Sequence, residues 1–241
     1  MSILFILFEG KANILLMEIQ RVYPQDQTAT KVLSQLAQPV RELFYTGNLL
    51  ELLERPCVAI VGSRKVTDYG IAVTTQLAKE LTQAGVVIIS GLALGVDSIA
   101  HQAALDAGGK TIAILPAGLD QIYPSRHQRL AEDIVRQGGA LASEFPTGQG
   151  RPQKYQFIAR NRIIAALSQG LLITEAARKS GSLHTANFAL EQGIEVFAVP
   201  GSILNQTSDG TNELIKNGAA PVTNVRDILE VLNMHANKEL F

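Results

Sequence analysis

The sequence predicts an α/β protein built on a doubly wound, mainly parallel sheet with a small N-terminal cap. Three observations carry this expectation. From Cys57 onward, short apolar runs alternate with stretches of helical periodicity. The runs are continuously apolar, as strands covered on both faces are. Each run also stops at small or polar residues, the punctuation of a strand-to-helix turn. At 241 residues, one large domain with a small appendage is expected. The divisions are residues 1–55 for an extension and cap, 56–235 for the α/β domain and 236–241 for a tail.

In chain order, the first sixteen residues, MSILFILFEGKANILL, hold an apolar run at 3–8. No basic residue precedes it, Glu9 and Lys11 follow closely, and no small-residue cleavage pattern closes it. It is too short to span a membrane. It reads either as a packed strand or as an extension upstream of a start at Met17. Tyr23-Pro24, Pro39 and Gly47-Asn48 then break residues 17–55 into short pieces, one of them helical over 30–37. Cys57 to Val61 is the first buried strand, and it ends at Gly62. Further strands are expected at 86–90, 111–115, 140–143, 171–174 and 196–199. The intervening periodicity predicts helices at 69–84, 97–107, 126–137, 156–168, 183–192, 212–216 and 225–234.

Composition excludes several classes. With 21 Lys and Arg against 22 Asp and Glu, the formal net charge is −1, so any nucleic-acid binding must come from local clustering. The single cysteine, Cys57, cannot form an intramolecular disulfide, and inside a buried strand its expected role is packing, which suits a reducing cytoplasm. No stretch is long and apolar enough for a transmembrane helix, so a soluble, cytoplasmic protein is expected. The four histidines show no metal-ligand spacing, and no complete Gly-x-Gly-x-x-Gly is present, so neither a metal nor a cofactor is expected.

Ligands of such sheets gather at the carboxyl ends of the strands. Those ends are rich in small and polar groups: Gly62-Ser63-Arg64, Ser90-Gly91 with Gly95 and Asp97, Pro116-Ala117-Gly118, Ser143-Glu144, Thr174-Glu175 with Ser180-Gly181-Ser182, and Pro200-Gly201-Ser202. Their convergence on one edge predicts a functional crevice. Gly62-Ser63-Arg64 offers backbone N–H groups and a hydroxyl to the start of a helix, where an anion sits well. Alternatively, Gly62 only makes a tight turn. Asp97 and His101, four apart at a helix start, suit an acid–base pair, although capping with a hydrogen-bonded histidine is the preferred reading. Glu144 and Glu175 could form the carboxylate pair of a glycosidic or ribosyl-bond hydrolase, or Glu175 could cap a helix or pair with an arginine of the nearby basic segment.

Between Glu144 and Glu175 there is no acidic residue, while Arg151, Lys154, Arg160 and Arg162 are all cationic. On a helix beginning near Gln156, Phe157, Arg160 and Asn161 share a face, with Lys154 just before its start. Cations flanking an aromatic and an amide suit a nucleic-acid single strand: phosphates pair with Lys and Arg, while unstacked bases find a ring and a hydrogen-bonding edge. The competing reading makes Phe157 part of the core with Ile163, Ile164 and Leu167, and leaves the cations on a solvated face.

These stretches, taken in order, resemble a known family. Val58 to Arg64, Ser90 to Asp97 with Ala100-His101, Gly118-Leu119-Asp120 with Tyr123-Pro124, Ser143-Glu144, Phe157 to Ile163, Ser180 to Ser182 with Thr185-Ala186, and Pro200-Gly201 are similar to the successive motifs of the DNA-processing protein A (Smf) family. The resemblance covers about residues 23–232. It implies an extended Rossmann-like domain that binds single-stranded DNA, forms homodimers and helps load the RecA recombinase in natural transformation. By position, Gly62, Ser63, Arg64, Lys154 and Arg160 would hold phosphates, and Phe157 and Asn161 would contact bases. The match does not extend to the helical sterile-alpha-motif-like and winged-helix-like domains many members carry, so contacts made by those domains are not expected of these residues. A non-enzymatic single-stranded-DNA-binding protein is therefore the expectation. The alternative is a nucleoside-monophosphate phosphoribohydrolase-like enzyme using Glu144 or Glu175; the Pro-Gly-Gly-x-Gly-Thr phosphate loop of those enzymes is lacking, the nearest stretch being Ser180 to Thr185.

Overall fold

The computed structural model describes residues 4–9 and 14–233. The strands are β1 (Leu4–Glu9), β2 (Ile14–Val22), β3 (Leu43–Gly47), β4 (Cys57–Val61), β5 (Val87–Ser90), β6 (Thr111–Ile114), β7 (Ala140–Ser143), β8 (Gly170–Ile173), β9 (Glu195–Ala198) and β10 (Ala220–Pro221). The helices are α1 (Leu49–Leu53), α2 (Asp68–Gln83), α3 (Val96–Asp106), α4 (Gln128–Arg136), α5 (Lys154–Ala166), α6 (Ser182–Glu191), α7 (Asp209–Lys216) and α8 (Arg226–Val231). The strands form one sheet in the order β1-β2-β3-β7-β6-β5-β4-β8-β9-β10. From β7 to β10 every pairing is parallel; β1, β2 and β3 add an antiparallel edge.

Each central strand has only four or five residues, and β4, β5, β6, β7 and β8 are buried at every position. Their alternating side chains therefore feed cores on both faces of the sheet. Ala59, Val61, Ile89, Ile114, Leu171 and Ile173 point to the face covered by α5 and α6, where Ile163, Ile164, Ala186 and Ala189 meet them. Val58, Ile60, Ile88, Leu172 and Phe197 point to the other face, under α2, α3 and α8. Cys57 packs in the first of these cores, and burial pushes its thiol up to about 12, where it stays protonated.

The parallel strands and their helices fall within two or three residues of expectation at most ends. At two of these the start differs in detail: the helix expected over 126–137 opens with a 3-10 turn, Ser125–His127, before α4, and that expected over 212–216 starts at Asp209. The N-terminal region differs in kind. The expected helical piece is a 3-10 segment, Thr28–Ser34, and the cap is part of the sheet: β2 pairs with β3, which pairs with β7. Leu33, Leu43, Leu49 and Leu52 consequently join the main core. The tail expected over 236–241 and the last residue of the helix expected over 225–234 lie outside the described residues.

Candidate nucleic-acid interface

The sheet order reverses at β4: β5, β6 and β7 lie to one side, and α5 carries the chain back across to β8 on the other. A crevice opens at such a reversal, outside the carboxyl ends of the strands. Here it is a cavity of about 940 Å³ above β4 and β8, and it is lined by all of the residues assigned from sequence: Gly62, Ser63, Arg64, Lys154, Phe157, Arg160 and Asn161. Their geometry distinguishes groups that are free for a ligand from groups already engaged by the fold.

Gly62 ends β4 where space is smallest. A Cβ there would lie 2.6 Å from Val96 Cγ2 and 2.7 Å from the Glu175 carbonyl oxygen, so only glycine lets the strand end pass. Gly95, which caps α3, sits at φ +79°, and a Cβ on it would collide with the Ser63 carbonyl oxygen. Ser63 is occupied by the turn itself. Its N–H donates to the Glu175 carbonyl at 2.7 Å, its carbonyl accepts from Val96 N–H at 3.1 Å, and its hydroxyl donates to the Lys65 carbonyl at 2.6 Å.

The anion expected at the following helix start is the chain's own. α2 begins at Asp68, several residues past the turn, and Glu175 Oε2 accepts from both the N–H and the hydroxyl of its N-cap Thr67, each at 3.1 Å. Thr67 Oγ1 in turn accepts from Gly70 N–H at 3.2 Å. The Thr67 and Gly70 N–H groups at the start of α2 are thereby engaged within the chain, which puts the chain's own carboxylate beside the helix start where an anion is expected.

Arg64 is exposed and stands over the Phe157 ring, 5.4 Å from its centroid. Phe157 is also met edge-on by Tyr123, with ring centroids 5.5 Å apart and planes at 72°. Lys154, at the first position of α5, is exposed beside them. Arg160 behaves otherwise. It is 4% exposed, and its Nη1 donates to the Gly91 carbonyl and, at 2.7 Å, to the Ile114 carbonyl, tying α5 to the ends of β5 and β6. Its Nε donates to Asn161 Oδ1 at 3.1 Å. Burial lowers the Arg160 guanidinium to about 10, and the nearby Asp97 pulls it back up, so it remains charged at neutral pH. The solvated cationic face read from the sequence therefore holds a buried arginine.

Asp97 and His101 are engaged in the same loop. Asp97 Oδ2 accepts from Gly91 N–H at 3.1 Å, and burial raises its pKa against the pull of Arg160. His101 Nε2 accepts from Leu92 N–H at 3.3 Å, so Nδ1 carries the proton and donates to Thr111 Oγ1 at 2.6 Å. Burial drives this imidazole down to about 3, leaving it neutral. These bonds hold the Ser90 to Asp97 loop, in which Leu92 takes φ +56°. The hydrogen-bonded reading of the histidine is the one realised; Asp97 bonds back to the loop from the first turn of α3 and is not its N-cap.

The carboxylate pair does not form. Glu144 follows β7 and accepts from Arg162 Nη2 at 2.6 Å, whereas Glu175 follows β8 and caps α2. Three strands separate β7 from β8, placing the two strand ends roughly 19 Å apart at ~4.8 Å per strand. Paired glycosidic carboxylates stand about 5–10 Å apart.

Sequence reasoning missed Tyr123, Lys65, Lys179 and Thr185, all on the crevice wall. Tyr123 lay within a noted motif, and Lys179 continues the basic bias past Glu175. Together, Arg64, Lys65, Lys154, Arg160 and Lys179 face one buried carboxylate, Asp97, so the crevice is positive in a chain of net charge −1.

Comparison with known proteins places the chain among relatives of the same fold. A solved structure of DNA processing protein A from Streptococcus pneumoniae matches with a TM-score of 0.77 at 45% identity, covering 83% of this chain and 69% of that one. A structure of DNA processing protein A from Helicobacter pylori, solved for that protein's single-stranded DNA binding mode, matches with a TM-score of 0.79 at 35% identity over 90% of this chain and 97% of that one. A molybdenum cofactor binding protein from Rippkaea orientalis shares the fold alone, with a TM-score of 0.51 at 19% identity over 74% of this chain and 96% of that one. Protein Smf of Escherichia coli is 50% identical over 79% of this chain, which spans only half of that relative's length. The family model described as DNA recombination-mediator protein A matches residues 16–233. The chain thus belongs to the DNA recombination-mediator protein A family.

Proposed function

We propose that this chain binds single-stranded DNA in the crevice above β4 and β8, without catalysis, and that it acts as a homodimer in the cytoplasm to deliver incoming strands to RecA during natural transformation. The observation that carries the binding site is the ladder of Arg64, Phe157 and Tyr123 beside the exposed Lys154. Exposed cations beside an aromatic platform suit a flexible strand, whose bases can leave their stack. A duplex keeps its bases paired and offers the ring nothing to stack on. In this reading Arg64 and Lys154 hold phosphates, Phe157 takes a base, and Asn161 offers its amide edge. Gly62 and Ser63 shape the wall, and Arg160 adds charge from beneath it. Partner delivery and dimer formation rest on family membership, and a chain spanning half of the Smf relative need not carry every contact those relatives make.

The test is fluorescence anisotropy of labelled oligothymidylate at two salt concentrations, with an equal-length duplex and AMP as competitors. Affinity is expected to fall with a log–log slope of about −0.7 per phosphate held, with poor displacement by either competitor. Arg64→Glu combined with Lys154→Glu should weaken binding at least ~100-fold, about 2.7 kcal/mol, while unfolding stability stays within about 0.5 kcal/mol of the parent. A folded double variant that still binds the strand would remove the site assignment. Release of adenine from AMP would restore the hydrolase.

A further inference from the structure

Asn161 stands one helical turn beyond Phe157 on α5, so the two share the face that lines the crevice. Its amide has two chemically different ends, and a neighbour decides which end points where. Arg160 Nε lies 3.1 Å from the amide. A guanidinium donates and never accepts, so the atom facing it is the carbonyl oxygen Oδ1. Turning the amide over would set its NH2 group against another N–H, donor to donor. Arg160 is itself held in place: it is 4% exposed, and its Nη1 is anchored on the Gly91 and Ile114 carbonyls. The buried arginine therefore keeps the amide of Asn161 in one orientation.

The other end of the amide is free. Asn161 Nδ2 has no partner among the described residues and is not one of their buried polar atoms, so it reaches the open crevice. What Asn161 shows a ligand is thus a donor and no acceptor. Depth then decides which part of a base it meets. Exposure falls from Arg64 and Lys154 in solvent at the mouth, through half-buried Phe157 and Asn161, to Arg160 beneath. A strand whose phosphates stay at the mouth points its bases inward, and the edge furthest from the sugar arrives deepest. That edge carries a keto oxygen in thymine, uracil and guanine, and an amino group in cytosine and adenine. The keto oxygen accepts from Nδ2, whereas an amino group meets it donor to donor.

We propose that Asn161, positioned by Arg160, selects keto-bearing bases at the place beside Phe157, so that the crevice prefers thymine and guanine there over cytosine and adenine. The inference rests on the strand-binding reading and adds a base preference to it. The preference is modest, because a single neutral hydrogen bond at a partly solvated site changes affinity several-fold, while phosphate contacts carry most of the binding.

The test reads a ratio of affinities. Oligodeoxyuridylate and oligodeoxycytidylate of equal length carry rings of the same size and differ at the outer edge, keto against amino. In anisotropy titrations of the full chain, at mildly alkaline pH where cytosine is unprotonated, the uridylate strand should bind about 5-fold tighter. Asn161→Leu removes the amide and should bring the two affinities within about 2-fold of each other, the tolerance expected of stacking and phosphate contacts alone. Asn161→Asp keeps an oxygen for Arg160 Nε and turns a second oxygen to the crevice. Its charge should weaken both strands, but the ratio should reverse in favour of the cytidylate. A merely structural role for Asn161 would lower both affinities together and leave the ratio where it was. Equal binding of the two strands by the native chain, or a ratio unaltered in both variants, would overturn the base preference and leave strand binding standing. Failure of the native chain to bind either strand would remove the strand-binding reading and the preference with it.

Discussion

Arg160 and Arg162 belong to the same short stretch of α5 as Lys154, yet their charges do different work from those of Lys154 and Arg64. Arg160 and Arg162 are 4% and 6% exposed; the first is tied to two strand-end carbonyls and the second to Glu144. Arg64 and Lys154 stand in solvent at the crevice mouth. The pair in solvent carries long-range attraction for a polyanion, and the buried pair fixes the shape of the wall. A count of basic residues treats the four alike, whereas their removal should have opposite signatures.

The sharpest way to break this contrast is Arg160→Met, which leaves the Gly91 and Ile114 carbonyls and Asp97 without their cation. A loss of about 3–5 kcal/mol in urea-induced unfolding is expected. If instead Arg160→Met keeps its stability and loses only strand affinity, Arg160 belongs with Arg64. Arg162→Met should cost about 3 kcal/mol, since Glu144 would stay buried alone, but combining it with Glu144→Leu should recover most of that loss. Arg162 Nε and Nη1 and Glu144 Oε1 find no partner in the described structure, so this pair is imperfectly satisfied and its joint replacement is well tolerated. Phe157→Ala should reduce strand binding by about 1–3 kcal/mol, read by anisotropy, with a nearly unchanged salt slope because no phosphate contact is lost.

The buried base that carries no charge sharpens the contrast from the other side. His101 is held down to about 3 in the folded chain against 6.5 when free. As pH falls below 6.5 the unfolded chain takes up a proton that the folded one refuses. The contribution is therefore complete above pH 6.5 and is lost on acidification toward pH 3, with a slope of up to ~1.4 kcal/mol per pH unit. Asp97, raised above its ordinary 3.8, opposes this at the acid end, because its folded form holds a proton the unfolded form has released. His101→Gln should flatten the dependence of urea midpoint on pH between those limits, even if the variant is less stable throughout.

What could be read from the chain follows from how local its causes are. The parallel strands were legible because β4, β5, β6, β7 and β8 are apolar at nearly every position, a pattern that does not depend on knowing their neighbours. β3 was not: LFYTG is a five-residue run that becomes a strand by pairing with β7, about a hundred residues away. The crevice residues were legible as strand ends and as a helical face. Their allocation was not, since whether Arg160 meets water or the Ile114 carbonyl depends on how α5 lies across β6. The same holds for Glu175, whose helix-capping partner Thr67 lies 108 positions away.

The tie from Arg160 to the ends of β5 and β6 also bears on timing. A wall pinned at two carbonyls and backed by the Asp97 and His101 bonds is expected to keep its shape when a ligand arrives. Encounter would then be limited by diffusion and charge, with no slow rearrangement to wait for. Strands of different length or base would arrive at similar rates, and the crevice would distinguish them by how long each one stays.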